Sequence, residues 1–165
     1  MRVALQSCLP YTTPASTIQI PAISPSATIV VPAGGFNNAN SGVMVGGAGS
    51  AAAALSRVVA SGNGVGIMAN GVGITLTITD SVVNNNNYGV GISSSTAMIR
   101  NLTASNNAIG ISADQSAVAR VGESNITGNG TGWQAANGAQ LVSYGDNNLS
   151  GNTTDGSSTS TIALR

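Results

Sequence analysis

Asn63-Gly64-Val65-Gly66-Ile67, Tyr88-Gly89-Val90-Gly91-Ile92, Asn107-Ala108-Ile109-Gly110-Ile111 and Asn129-Gly130-Thr131-Gly132-Trp133 can be laid under one another. Each follows a short β-branched or aliphatic run and an Asn-rich corner. The pattern returns about every 22 residues from Ala27 to near Asp155. A period of this length marks a solenoid, in which a unit hides its apolar face only by stacking on its neighbours. The expected fold is all-β: a single-stranded parallel β-helix of about six coils.

Strand signals support that architecture. Ile74-Thr75-Leu76-Thr77-Ile78-Thr79 alternates strictly, which predicts Ile74, Leu76 and Ile78 inside and the threonines outside. Ala51–Val59 is the one stretch with helical composition. It follows Gly46-Gly47-Ala48-Gly49-Ser50 and leads straight into a repeat run, so a strand or irregular lead-in is expected there. Equivalent residues of stacked coils lie about 4.8 Å apart. Counting back eight residues from the corner Asn places Leu55, Ile99, Val121 and Tyr144 in one internal stack. The corners themselves predict a structural ladder of Asn63, Asn87, Asn107, Asn129 and Asn152, because an amide both donates to and accepts from the coils around it. Asn84-Asn85-Asn86-Asn87 offers neighbouring candidates for one rung, leaving that register open by a residue.

Three segments follow. Residues 1–26 carry four of the five prolines and no clear repeat, and read as an irregular N-terminal capping segment, with Ser16–Ile20 as a strand ended by Pro21. Residues 27–156 are the β-helix repeats. Residues 157–165 form a tail that covers the C-terminal end or adds a last strand. Open solenoid ends expose unpaired backbone, which also leaves self-association through the ends as a partner expectation.

Composition restricts function. The chain of 165 residues has a formal net charge of zero and 6% charged residues, so it offers no basic face for nucleic acid. Hydrophobic residues reach 42% but in short runs, far from the ~20 needed to span a bilayer. Met1-Arg2-Val3-Ala4-Leu5 opens like a signal peptide, yet Gln6, Ser7 and Pro10 interrupt it, and no compartment is assigned. A lone Cys8 forms no internal disulfide. The absence of His removes a histidine base, a Ser/His relay and a histidine metal ligand. No cofactor or metal site is expected.

The candidate polar residues are few. Arg57, Arg100 and Glu123 fall at similar points of successive repeats and mark a polar face, which is either a small site or a surface ion pair. Trp133 stands where other coils carry Ile67, Ile92 and Ile111, so it is expected in the core, while Tyr88 at its corner is expected to be exposed. The three threonines at 75, 77 and 79 suggest an ice-binding array, but Ala97-Met98-Ile99-Arg100 and Val118-Ala119-Arg120-Val121 break it.

Asn125–Trp133 and Ser143-Tyr144-Gly145-Asp146-Asn147-Asn148 resemble the bacterial right-handed parallel β-helix repeat proteins of the pectate-lyase-like superfamily. The resemblance runs over about Leu55–Asp155, matches C-terminal coils, and alone implies right-handed winding. It is specific for fold and weak for activity, since such folds host many roles. It directs attention to Asp80, Asp114, Glu123, Asp146 and Asp155, because superfamily lyases hold calcium with carboxylates and hydrolases use grouped Asp residues. Asp80, Asp114 and Asp146 sit at different offsets, and the five assemble neither constellation. The resulting expectation is a non-catalytic β-helix module with a structural, adhesion or ligand-binding role. The alternatives are a diverged polysaccharide lyase or glycoside hydrolase, and an inert piece of a longer β-helix. Carbohydrate is the ligand class left open.

Overall fold

A computed structural model describes residues 18–21, 27–31, 34–37 and 39–163. Its strands, in chain order, are β1 (Ile18–Pro21), β2 (Ala27–Val31), β3 (Gly34–Asn37), β4 (Ser41–Gly46), β5 (Ala51–Ser56), β6 (Val58–Ser61), β7 (Val65–Asn70), β8 (Ile74–Asn84) and β9 (Tyr88–Ser93). They continue with β10 (Thr96–Ser105), β11 (Ile109–Asp114), β12 (Val118–Gly122), β13 (Asn125–Thr127), β14 (Thr131–Ala135), β15 (Gln140–Ser143), β16 (Asn148–Leu149) and β17 (Ser160–Thr161). All pairings are parallel, and the strands stack as a β-solenoid of about six turns. The all-β solenoid expected from the repeat is therefore what the chain forms. Most of the expected segment 1–26 lies outside the described residues; its Ile18–Pro21 pairs with β4. Among the described residues no helix is long and apolar enough to cross a membrane.

Each coil contributes to three faces. Face A is the sheet β1-β4-β7-β9-β11-β14. Face B stacks β2, β5, the first part of β8, the first part of β10, β12, β15 and β17. Face C stacks β3, β6, the remainders of β8 and β10, β13 and β16. Strands β8 and β10 serve two faces because they turn at Asp80 and Asn101, whose φ values are 50° and 49°. Arg57 and Glu123 take the same left-handed conformation at that corner in other coils, with φ of 55° and 54°. Such residues interrupt the extended backbone and let one chain turn a corner without leaving the stack.

The inward columns form the core. Leu55, Ile78, Ile99 and Val121 are in register on face B, and Ile67, Val90, Ile111 and Trp133 on face A. Ile74, Leu76 and Ile78 point inward as the alternation predicts. Ala51–Val59 supplies β5 and the start of β6. Trp133 is 4% exposed, and its indole N–H has no acceptor among the described residues. One column differs from expectation: Ser143, not Tyr144, is the partner of Val121, and Tyr144 is half-buried one step along. A loop of variable length separates that strand from the corner Asn, so counting backwards across it slips.

The deepest polar structure is an asparagine ladder. Asn63, Asn86, Asn107 and Asn129 are 2–5% exposed, and each donates its backbone N–H and its Nδ2 to the Oδ1 of the next asparagine. The rungs are 23, 21, 22 and 23 residues apart, ending on Asn152. Asn107 shows how complete the arrangement is. Its Oδ1 accepts from Asn86 N and Nδ2, and its Nδ2 donates to Val83 O and Asn129 Oδ1, each at 3.0 Å. All four amide capacities are filled, which is what a buried side-chain amide requires. The rung in the third described coil is Asn86; Asn87 is exposed and contributes its backbone N–H to Asn63 O. Asn152 donates in turn to the carboxylate of Asp155, 2.8 Å from Nδ2.

A glycine stands three residues after four of these asparagines, at 66, 89, 110 and 132. A Cβ on Gly89 would lie 2.5 Å from Gly110 O and 3.0 Å from Asn107 Nδ2; one on Gly66 would lie 2.6 Å from Gly89 O and 3.0 Å from Asn86 Nδ2. The glycine column makes the room in which the next coil's asparagine sits.

Two substitutions and a control test this coupling. Asn107→Ala strands the Asn86 donors and the Val83 carbonyl, and at ~1–3 kcal/mol per buried unsatisfied group the expected loss is about 3 kcal/mol or more by urea denaturation. Gly89→Ala should cost about 1–3 kcal/mol through overpacking. Gly35→Ala, where an added Cβ meets nothing within 4 Å, should leave the midpoint unchanged.

Candidate functional site

The B–C corner gathers much of the chain's charge. Because Ser56, Thr79, Arg100 and Gly122 are in register, the residues that follow them, Arg57, Asp80, Asn101 and Glu123, form one edge column. The Arg100 guanidinium pairs with the Glu123 carboxylate, and both side chains are about half exposed, at 49% and 51%. Asn101 Nδ2 donates to Asp80 Oδ1 at 2.7 Å, and Glu123 N–H donates to Asp146 Oδ1 at 3.0 Å. Arg57 is not brought to this pair: it lies three rungs from Glu123, roughly 14 Å at the usual inter-strand spacing. An ion pair this exposed contributes at most ~1 kcal/mol.

Asp80 and Glu123 are two rungs apart, roughly 10 Å, while Glu123 and Asp146 stand on neighbouring rungs; all three lie along an edge rather than across a cleft. Glycoside hydrolysis requires two carboxylates facing each other over the scissile bond. Among the described residues no three His, Cys, Asp or Glu side chains come together as a metal site.

A concave feature lies elsewhere, on the outer side of face A. Strand register sets it up: Met44, Met68, Gly91, Ser112 and Gln134 form one outward column. Gly91 removes a side chain from the middle of that column. Met68 leans over the gap, with Sδ 2.9 Å from the position of a Gly91 Cβ and Val65 Cγ1 at 3.5 Å. The other face A glycines at 42, 46, 66, 89, 110 and 132 would collide with backbone, whereas Gly91 meets side chains alone. The result is a groove of about 260 Å³.

Its two sides differ in chemistry. Met68, Val65 and the ring of Tyr88 supply an apolar floor and wall; Tyr88 opens β9 in register with Val65 and Ile109 and is half-buried rather than exposed. Ser112, Asp114, Gln134 and Ser93 supply the polar side. These polar groups are held in place. Asp114 Oδ1 accepts from Gln115 N–H at 2.8 Å and from Asn137 Nδ2 at 2.7 Å, and Gln134 Nε2 donates to Ser112 Oγ at 3.3 Å. Ser93 Oγ and Gln115 Oε1 are 3.0 Å apart. Among the described residues the groove holds one carboxylate and no cation: Arg57, Arg100 and Arg120 all belong to the face B strands or their corner.

Of these groove residues the sequence marked Tyr88 as one of the few aromatics, with Tyr11, free to touch a ligand, but assigned no site to it. Asp114 drew attention only as one of five scattered acids. No single coil carries the signal, because the groove exists only through the register between coils.

Residues 12–164 match a family model described as NosD, periplasmic copper-binding protein. No curated protein and no solved structure matches the chain.

Proposed function

We propose that this chain, which belongs to the periplasmic copper-binding protein (NosD) family, works as a β-helix module that presents a ligand-binding face and performs no chemistry of its own. The observation that carries this is the separation of charge from concavity. The carboxylates at 80, 123 and 146 are spread along an edge and engaged with neighbours, while the groove on face A contains Asp114 alone. A preorganised rim of hydroxyl, amide and carboxylate beside an apolar floor suits recognition by hydrogen bonds and contact area. Acid–base hydrolysis, by contrast, needs a second titratable partner. The ligand class proposed is carbohydrate. The family's periplasmic setting is carried over as part of the same proposal.

The copper of the family description does not fit the residues present. Copper sites are built from imidazole, thiolate and thioether donors. The chain has no His and one Cys, and Cys8 lies outside the described residues. Met44 and Met68 are in register on adjacent strands of face A, while Met98 is in register with Thr77 and Arg120 on face B. Two thioethers with no imidazole in the chain, and no thiolate among the described residues, are a poor copper centre, and no role here runs through the metal.

Self-association is retained with one restriction. A copy stacking on the C-terminal end would meet the mostly exposed residues 151–163, with β17 already paired to β15, rather than open apolar core.

Three measurements test the proposal. A polysaccharide panel scored for both retention and cleavage, with calcium added, should show retention without new reducing or unsaturated ends; cleavage abolished by Asp80→Ala or Asp146→Ala would replace the module with an enzyme. Titration of the purified chain against a chromogenic copper(I) chelator should show less than one equivalent bound, unchanged by Met68→Leu. A stoichiometric complex would reverse the assignment. Light scattering across a concentration series should show a dimer or larger species, and a strict monomer at high concentration would remove self-association.

A further inference from the structure

The groove chemistry goes further than ligand binding in general. Building on the binding-module reading above, we infer that the face A groove takes a single neutral sugar ring and discriminates against acidic saccharides.

Three features point the same way. Size comes first: about 260 Å³ falls just under the ~300–1,000 Å³ of sites that enclose drug-sized ligands. One ring fits, with the remainder of an oligosaccharide lying along the open face. Shape follows, since a pyranose has an apolar face of C–H groups and a rim of hydroxyls. Met68, Val65 and the Tyr88 ring meet the first, and Ser112, Gln134 and Asp114 meet the second. Asp114 is already held by Asn137 and Gln115 through Oδ1, which fixes the carboxylate with Oδ2 left to accept from a sugar hydroxyl. Charge decides the class. A uronic acid carboxylate placed here would face Asp114 with no arginine of the described residues on the same face to offset it, and like charges at such separations disfavour binding.

Gly91 lines the groove as a buried residue, and Met68 packs over the place its side chain would take. Its backbone is not in the left-handed region, and an added side chain would meet Met68 and Val65 rather than main chain. A larger residue is therefore compatible with the coil and fills the groove, either directly or by pushing Met68 into it.

The experiment is isothermal titration of the full chain with cellotriose, mannotriose and trigalacturonic acid at low salt. Wild type, Gly91→Val, Gln134→Ala and Asp114→Asn are compared, each checked by thermal melting. The expected result is binding of at least one neutral trimer, weakened tenfold or more by Gly91→Val and several-fold by Gln134→Ala. Trigalacturonic acid should bind at least tenfold more weakly, and Asp114→Asn should narrow that gap. If Gly91→Val does not fold, the Gln134 and Asp114 variants carry the same test. Equal or tighter binding of the acidic trimer overturns the inference, as does neutral binding that ignores all three substitutions. In the second case the ligand-binding module survives with its site on another face. Binding of no trimer at all removes both.

Discussion

A buried carboxamide that has no water to turn to must find every partner inside the protein, and this constraint organises the whole solenoid. Each ladder asparagine satisfies its amide by spanning three coils, taking donors from the rung before and giving to the rung after. It also bonds a carbonyl on the adjoining face, as Asn107 does with Val83. That geometry is possible only where the neighbouring coil has no Cβ in the way, so the asparagine column and the glycine column are one device. The hydrophobic columns need volume and little else, and they tolerate alanine beside leucine or isoleucine, as Ala53, Leu76 and Ala97 show. The amide column tolerates no such variation. It sets the register, and the register sets what the faces display.

The fold was legible because a side-chain period of two and a coil period in the low twenties are both visible in one sequence. What failed was the phase of one coil. Tyr88-Gly89-Val90-Gly91-Ile92 aligns attractively with Asn63-Gly64-Val65-Gly66-Ile67, yet Gly89 is the true counterpart of Gly66 and Tyr88 that of Val65. The slip is two residues. The false alignment puts Val90 in the place of Val65, an outward groove residue, and Ile92 in that of Ile67; both alignments set glycine against glycine and aliphatic against aliphatic, so residue type alone cannot tell them apart. In the same coil the ladder was placed one residue late, on Asn87 in place of Asn86. The discriminating signal was the spacing from asparagine to the glycine three residues on, which Asn63, Asn107 and Asn129 share and which selects Asn86.

The candidate site was hidden by that slip. With the coil in its proper phase, Gly91 falls opposite Met68 on the outer surface instead of in the glycine column, and the outer wall of face A is missing one side chain. The polar edge, by contrast, was partly legible: Arg100 and Glu123 are separated by 23 residues, one coil, and they meet. Arg57 was grouped with them on the same spacing logic and lies too many rungs away. Periodicity reports which residues share a column; it does not report how far apart in that column they stand.

The ladder has a direction. In the surrounding sheets backbone bonds run both ways between coils, as with Gly64 N–H reaching back to Ala39 O and Gly62 N–H reaching forward to Asn84 O, so their dipoles largely cancel. The asparagine-to-asparagine bonds all run the same way, each Oδ1 accepting from the rung before and each Nδ2 giving one N–H to the rung after, while its second N–H goes back to a carbonyl such as Val83 O. They add along the axis like the peptide units of a helix. The electropositive pole of that miniature electret ends on Asp155, the one member of the series that accepts without donating. An amide there would call for another rung beyond it; an acid does not. The exchange of a single nitrogen for oxygen thus works as a stop codon written in hydrogen bonds, marking where this amide series closes.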